Sequence, residues 1–154
     1  MALLLVLNLH GQINSSAPVR KALNELWVAK KFSASVVSDD APTVGMLRLC
    51  KDFVAWAPVD EGLLADLLSK RGMVSTARPL DAGALKELGF KSHKDLASKM
   101  VKDQSRLSAV VGVLPYFRLA PPKGGFRRSL RRQFTEKGLL GSNPGLEEIV
   151  RRMF

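Results

Sequence analysis

A chain of 154 residues with one cysteine, two histidines and one tyrosine has few of the side chains that do chemistry. A lone thiol, Cys50, excludes an intramolecular disulfide framework and a cysteine metal cluster, which agrees with a reducing cytoplasm. His10 and His93 show no HxH or HExxH spacing and have no cysteine partner in a metal-ligand pattern, so no metal is expected. No run reaches the roughly 18 apolar residues that a membrane span requires. The apolar opening from Met1 to Leu7 has no basic flank, is short and runs straight into Asn8 and His10. A buried strand is the expectation there, in place of a signal sequence.

Carboxylates are also scarce, 14 against 24 Lys and Arg, and they are scattered. The adjacent pairs Asp39-Asp40, Asp60-Glu61 and Glu147-Glu148 each stand near an expected helix start, where turn and cap roles suffice. Pro122-Lys123-Gly124-Gly125 lacks the GxxxxGK[ST] pattern and the strand-to-helix setting of a nucleotide-hydrolysing loop. Its glycine pair permits close approach of backbone amides to a phosphate, a binding use without catalysis. No catalytic residue and no cofactor is expected.

What the chain has is positive charge, unevenly placed. The formal net charge is +10, with a sequence pI of about 10.2. Residues 1–114 carry 15 basic and 11 acidic side chains, whereas residues 115–154 carry 9 and 3. More than half the excess therefore lies from Pro115 onward, where it can be aimed at a polyanion. From Phe117 to Gly138 there are seven Lys or Arg (118, 123, 127, 128, 131, 132 and 137) against the single Glu136. Two prolines and two glycines disfavour a long helix or strand in the first half of this stretch. A charge run can be a solvated face only, but the density here favours RNA or DNA phosphate. Arg127, Arg128, Arg131 and Arg132 form two doublets four apart. On a helix they would make one cationic face, and in an extended arm they would point in several directions. Guanidinium groups can fork onto phosphate or lie flat on a base. Phe126 and Phe134 could stack on bases or pin the arm to its own protein.

Hydrophobic residues make up 46% of the chain, enough for a packed core. Leu3 to Leu9 is nearly continuous in apolar residues, the pattern of a strand buried on both faces. Ser16 and Pro18 mark a helix start, with Val19, Leu23, Leu26 and Trp27 as its buried stripe and Lys30 snorkelling at the edge. Arg20 and Lys21 lie beside the preceding loop. A second strand is expected over residues 32–38, a helix over 43–51 with Val44, Leu47 and Cys50 inward, and a third strand over 53–57 that Pro58 limits. This order makes a two-layer α+β sandwich, helices on one face of a small three-stranded sheet. Asp60 starts a helix over 61–71 with Leu63, Leu64, Leu67 and Leu68 as its stripe, and Gly72 stops it. Asp81 starts a short helix that Gly89 ends, and Ser92 opens another in a capping box, with Leu96 and Met100 inward. Residues 106–114 are ambiguous. A terminal helix follows Asn143-Pro144, with Leu146, Ile149, Val150 and Met153 on one side. Its pairs Glu147–Arg151 and Glu148–Arg152 have the favourable i,i+4 order.

These stretches resemble a known family, the archaeal form of the large-subunit ribosomal protein called L-thirty in bacteria and L-seven in eukaryotes (universal uL-thirty). The likeness runs end to end. It is carried by Leu3 to Leu9, Gln12-Ile13-Asn14, the helix through Leu26, Asp40-Ala41-Pro42-Thr43-Val44-Gly45-Met46-Leu47 and Phe53-Val54-Ala55-Trp56. Leu67-Leu68-Ser69-Lys70-Arg71-Gly72 is similar to the Leu-Leu-x-Lys-Arg-Gly of archaeal members. The most specific stretch is Phe117-Arg118-Leu119-Ala120-Pro121-Pro122-Lys123-Gly124-Gly125-Phe126, and Ile149 to Met153 matches the family ending. The chain departs at Asn8 and His10, where the family often has a basic residue at the end of the first strand, and at Ala120, often His in archaeal members.

The resemblance implies a β-α-β-α-β core over residues 1–60 related to the ferredoxin-like fold, a helical extension over 61–114, and a basic, non-regular arm with a terminal helix over 115–154, all one structural unit. It implies a structural role without catalysis in the large subunit of cytoplasmic ribosomes. The implied partners are large-subunit ribosomal RNA near the 5S RNA region and neighbouring ribosomal proteins, with no membrane and no small-molecule substrate. The RNA contacts expected are Arg20, Lys21 and Arg118 from the globular part and Lys123, Gly124, Gly125, Phe126, Arg127, Arg128, Arg131, Arg132 and Lys137 from the arm. Two other readings compete: a general nucleic-acid-coating, chromatin-like protein, and an enzyme on a ferredoxin-like scaffold that hydrolyses small phosphates, which needs a pocket of converging polar groups. With few apolar anchors and strong self-repulsion, the arm is expected to lack order before assembly.

Overall fold

Six consecutive buried residues, Leu3–Asn8, form the first strand, β1. Side chains of a strand alternate between faces, so complete burial requires cover on both sides of the sheet. The computed structural model, which describes residues 2–154, shows that cover. Met1, the first residue of the expected 1–60 core, lies outside the described residues. The order is β1, helix α1 (Ala17–Glu25), β2 (Ser33–Ser38), α2 (Ala41–Leu49), β3 (Val54–Pro58), α3 (Glu61–Arg71), α4 (Ala82–Glu87), α5 (His93–Asp103), β4 (Phe117–Arg118), β5 (Ser129–Gln133), β6 (Gly138–Ser142) and α6 (Leu146–Arg151). Among the described residues the fold is α+β, an open six-stranded sheet with six helices.

The sheet order is β4-β2-β1-β3-β6-β5. Strand β1 lies antiparallel between β2 and β3, with Leu5 opposite Val36 on one side and Ala57 on the other. Strands β2 and β3 therefore run parallel to one another with β1 between them, a split β-α-β arrangement. The three strands expected from the sequence are the centre of a wider sheet. Antiparallel β4 extends it beyond β2, and parallel β6 and β5 extend it beyond β3.

The two faces of β1 feed two separate cores. Leu4 and Val6 pack with Val19, Ala22, Leu23 and Leu26 of the α1 segment and with Leu47 and Cys50 at the end of α2. This is the two-layer β-α-β-α-β unit. Leu3, Leu5, Leu7 and Leu9 pack instead with Leu63, Leu64, Leu67 and Leu68 of α3, Leu85 of α4, Leu96 and Met100 of α5, and Leu146, Ile149 and Val150 of α6. The helical extension and the terminal helix thus make a third layer on the opposite face. Burial leaves the Cys50 thiol inert, pushed up to about 11.

Several local expectations need correction. Ser16, Asp60 and Asp81 stand at helix N-cap positions, yet their side chains accept no bond from the first turn. Ser92 does cap its helix, accepting from the Asp95 amide. Trp27 is not part of the buried stripe. Helix α1 stops at Glu25, and Trp27 turns left-handed at φ 60°, which swings its ring outward to 48% exposure. Lys30 then lies beyond the helix and snorkels along no helical edge. The ambiguous stretch 106–114 is a single 3-10 turn, Leu107–Ala109, in otherwise irregular chain. Arg106 at its start bonds the Ser38 hydroxyl at 2.8 Å, the Asp40 carboxylate at 2.8 Å and the Thr43 hydroxyl at 3.1 Å. It ties the extension to the β2–α2 junction.

The Ser38 hydroxyl also donates to Asp40, and these bonds, Ser38 first and Arg106 next, hold the Asp40 carboxyl below the usual carboxylate range. A depressed carboxyl adds stability that is fully present above its unfolded pKa, near 4, and that fades as the pH falls through the lower folded value. Asp40→Asn is therefore expected to lower Tm by a constant amount above about pH 5 and to converge with the parent in acid. Thermal melts from neutral to acid pH check this, and a Tm difference independent of pH contradicts it.

Candidate nucleic-acid interface

Asn8 at the end of β1 is fully buried, so its amide must be satisfied internally. Its Nδ2 donates to the Val28 carbonyl at 2.6 Å and the Gly11 carbonyl at 3.3 Å. Its Oδ1 accepts from the amides of His10 at 2.9 Å and Gly11 at 2.7 Å. The Phe32 amide donates to the Asn8 carbonyl at 2.7 Å. Asn8 therefore organises the loops at this end of the sheet and presents nothing to a partner. A longer basic side chain would not fit the same cage.

The basic arm crosses this end of the sheet from one edge to the other. It leaves β4, whose Phe117 is buried and pairs with Ala34. It then runs beside the last residues of the chain, with the amides of Ala120 and Lys123 donating to the carbonyls of Met153 and Arg152, each at 3.0 Å. Arg152 Nη1 donates to the carbonyls of Lys123 and Gly125, both at 3.2 Å. Arg152 thus braces the Pro-Pro-Lys-Gly-Gly loop and forms no ion pair with Glu148, contrary to the i,i+4 expectation. Arg151 does pair with Glu147 at 2.8 Å and also reaches Asp66 at 2.8 Å. Gly124 and Gly125 both adopt left-handed φ, 80° and 73°, a reversal that side chains resist. The Gly125 amide is bonded to the Pro122 carbonyl. That amide is committed within the loop.

Beyond the loop, Phe126 stacks on Phe32, centroids 5.9 Å apart and planes 27° from parallel. Arg128 lies over Phe134 at 5.2 Å. Pinning is thus the observed use of one Phe126 face, while Phe134 carries a guanidinium. Strand β5 is an edge strand tied to two loops: the His10 imidazole Nε2 meets the Leu130 carbonyl at 2.5 Å, and Gln133 donates to the Lys51 carbonyl and the Asp52 carboxylate at 3.1 and 2.9 Å. The arm expected to be non-regular contains the short strands β5 and β6 and is joined to the core through Phe126, His10 and Gln133. Each of these contacts is made by a residue remote in sequence, which local patterning does not register. The arginine doublets lie in a bend (Arg127, Arg128) and in an edge strand (Arg131, Arg132), so they do not form one helical face.

Arg118, Lys123, Arg127, Arg128, Arg131, Arg132 and Lys137 are all exposed. Among the described residues none of them is in an ion pair; the pairs are Lys21–Glu25, Arg78–Glu87, Arg106–Asp40 and those of Arg151. Two local surfaces gather three of these cations, and Lys123, Arg131, Arg132 and Lys137 line neither. Arg127 and Arg128 share a depression of about 300 Å³ with Phe134, Asn143, Glu148 and Arg152. Arg118 shares a groove with Trp27, Lys30, Lys31 and Tyr116. Trp27 and Asn24 also border the depression of Arg20 and Lys21, so α1 and β4 present one continuous surface. Sequence reasoning missed Lys30, Lys31 and Tyr116 as members of this surface. The exposed Lys-Lys doublet just before a strand was the signal that could have found the lysines.

Among the described residues no three His, Cys, Asp or Glu gather as a metal-ligand group. His93, expected to be exposed, is half-buried with its Nε2 2.8 Å from the Leu80 carbonyl. No described helix is long and apolar enough to cross a membrane.

The fold and this surface define a small α+β protein with unpaired cations spread along one end of an open sheet. No protein-family model matches the chain. It is 37% identical over 155 residues to the large ribosomal subunit protein uL30 of Thermofilum pendens, with 99% of each chain covered. Against the uL30 of Cenarchaeum symbiosum it is 34% identical over 149 residues, covering 97% of this chain and 96% of the relative. Against that of Nitrosopumilus maritimus it is 33% identical over 149 residues, with the same coverage. The chain belongs to the uL30 family of large ribosomal subunit proteins.

The arm's fold has a sharp steric requirement at Gly138, where β6 begins. A Cβ there would lie 1.9 Å from the Arg132 carbonyl oxygen, a backbone atom that cannot step aside alone. Gly138→Ala is expected to destabilise the protein by about 1–3 kcal/mol, the usual cost of overpacking, and to unpair β5 from β6. Hydrogen exchange should show faster amides in residues 129–133 with β1 unaffected. Unchanged exchange in β5 would contradict the requirement.

Proposed function

We propose that this chain is a structural constituent of the large ribosomal subunit that binds and stabilises folded ribosomal RNA through its basic arm. The observation that carries this reading is the set of seven exposed cations, Arg118 in β4 and six along the arm, without a carboxylate partner among the described residues. Elsewhere, among the described residues, Arg78, Arg106 and Arg151 each meet a carboxylate, while Arg20, Arg48, Arg71 and Arg152 do not. Unpaired cations on a polyanion release condensed counterions, whereas in the free protein they only repel one another. Family membership points the same way, since the relatives are named as proteins of the large ribosomal subunit.

In this reading Arg127, Arg128, Arg131, Arg132, Lys123 and Lys137 meet phosphates along the arm. Arg20, Lys21 and Arg118 extend the contact across α1 and β4. The α+β body sets the arm's course, and the side chains act by charge and by planar guanidinium geometry. Neighbouring ribosomal proteins and the 5S RNA region are the further partners proposed. The site of action is the cytoplasmic ribosome, and the proposed role includes no catalysis.

A variant with alanine at Arg127, Arg128, Arg131 and Arg132 tests the proposal. In sucrose gradients the parent protein should sediment with the large subunit, and the variant should be released at lower salt. For purified ribosomal RNA the log–log slope of affinity against salt should become less steep by about 3 to 4 if each arginine meets one phosphate. Folding stability should change by less than about 1 kcal/mol, because these side chains are at the surface. A parent protein that stays off the subunit, or a variant with an unchanged salt slope, overturns the assignment.

A further inference from the structure

Trp27 stands where two ordinary forces both disfavour it. The position just past a helix C-terminus that turns left-handed usually holds glycine, because a bulky side chain is strained there. Trp27 has φ 60° and its amide closes the turn onto the Asn24 carbonyl at 3.1 Å. The hydrophobic effect would also bury an indole, yet this one is 48% exposed. Strain of this kind points toward function when the surroundings are built around it.

The surroundings form a groove of about 660 Å³ between the end of α1 and β4. That lies within the roughly 300–1,000 Å³ range of small-ligand sites. Its charged lining residues are Lys30, Lys31 and Arg118, and no carboxylate lines it. The other rings of the groove already have partners. Lys31 Nζ lies 5.0 Å from the Phe32 ring, which also stacks on Phe126, and Arg118 lies 5.8 Å from the Tyr116 ring. Among the described residues the Trp27 indole has no ring or cation partner. A free aromatic face beside three cations matches a base with its phosphates, because every base offers a π-face and its backbone carries the complementary charge.

We propose that this groove holds an unstacked nucleotide of RNA, its base on the Trp27 ring and its flanking phosphates against Lys30, Lys31 and Arg118. The inference rests on the reading of the chain as RNA-binding, but it concerns a surface separate from the arginine doublets. It also assigns a different kind of contact. The arm meets phosphates of folded RNA, whereas the groove selects a base that is out of its stack.

The test uses the full chain with Trp56→Phe, so that Trp27 is the only indole. The probes are a short single-stranded oligoadenylate and a blunt RNA duplex at matched phosphate concentration and salt. Oligoadenylate should quench Trp27 fluorescence and the duplex should not. By anisotropy of labelled oligoadenylate, Trp27→Ala should weaken binding about tenfold or more, the range for loss of one stacking platform, while Trp27→Phe stays within about threefold. Equal affinity of Trp27→Ala and the parent overturns the proposal, as does equal loss in Trp27→Phe. Quenching by duplex to the same extent overturns it as well. Absence of quenching by either RNA does so too. The four-arginine variant separates the two readings: failure of the arm reading appears as unchanged salt dependence on ribosomal RNA, and failure of the groove appears as oligoadenylate binding that ignores Trp27.

Discussion

Everything in this structure follows from the burial of β1 on both faces. A strand of Leu3, Leu4, Leu5, Val6, Leu7 and Asn8 has no face it can show to water. One face is covered by α1 and α2, which come immediately after and between the first strands. The other needs helices that the first 60 residues do not contain, and α3, α4, α5 and α6 supply them. The extension is therefore part of the core in an energetic sense. Without it Leu3, Leu5, Leu7 and Leu9 would lose their cover, at about 25 cal/mol per Å² of apolar surface returned to water.

The same requirement sets the course of the basic arm. The terminal helix α6 must sit on the second face, and the chain between β4 and α6 must reach it from the opposite edge of the sheet. The arm makes that crossing at the end where β1 finishes. Buried Asn8 organises the loops there, His10 meets Leu130, and Arg152 braces the glycine loop. A segment rich in like charges is thus joined to the body by a handful of polar contacts and one stacked pair, Phe32 and Phe126. Its charges stay outward because nothing in the described chain neutralises them.

How legible this was in the sequence depends on the range of the force involved. The strands and helices were readable from apolar spacing, because Leu63, Leu64, Leu67 and Leu68, or Leu146, Ile149 and Val150, bury one side of a helix whatever the rest of the chain does. Trp27 was misread for a related reason: it shares helical spacing with Leu23, but the helix ends before it, and helix ends are set by local hydrogen bonding that spacing does not encode. The cations of the arm were readable as charge. Their arrangement was not, since β5 and β6 form through pairing between segments whose own patterns are weak. Lys30, Lys31 and Tyr116 join Arg118 only because β4 docks beside the start of β2.

The sequence alone determined the α+β class, the central strand, the buried leucine stripes and the gathering of positive charge from Pro115 onward. These depend on composition and on periodicities of two and 3.6 residues, which act over a few neighbours. Only the tertiary structure decided that the helical extension lies on the second face of the sheet, that Arg152 braces the arm in place of pairing with Glu148, and that an exposed tryptophan looks into a cationic groove. Each of these joins residues from 27 to more than 80 positions apart, and such contacts exist only once the core that carries them has closed.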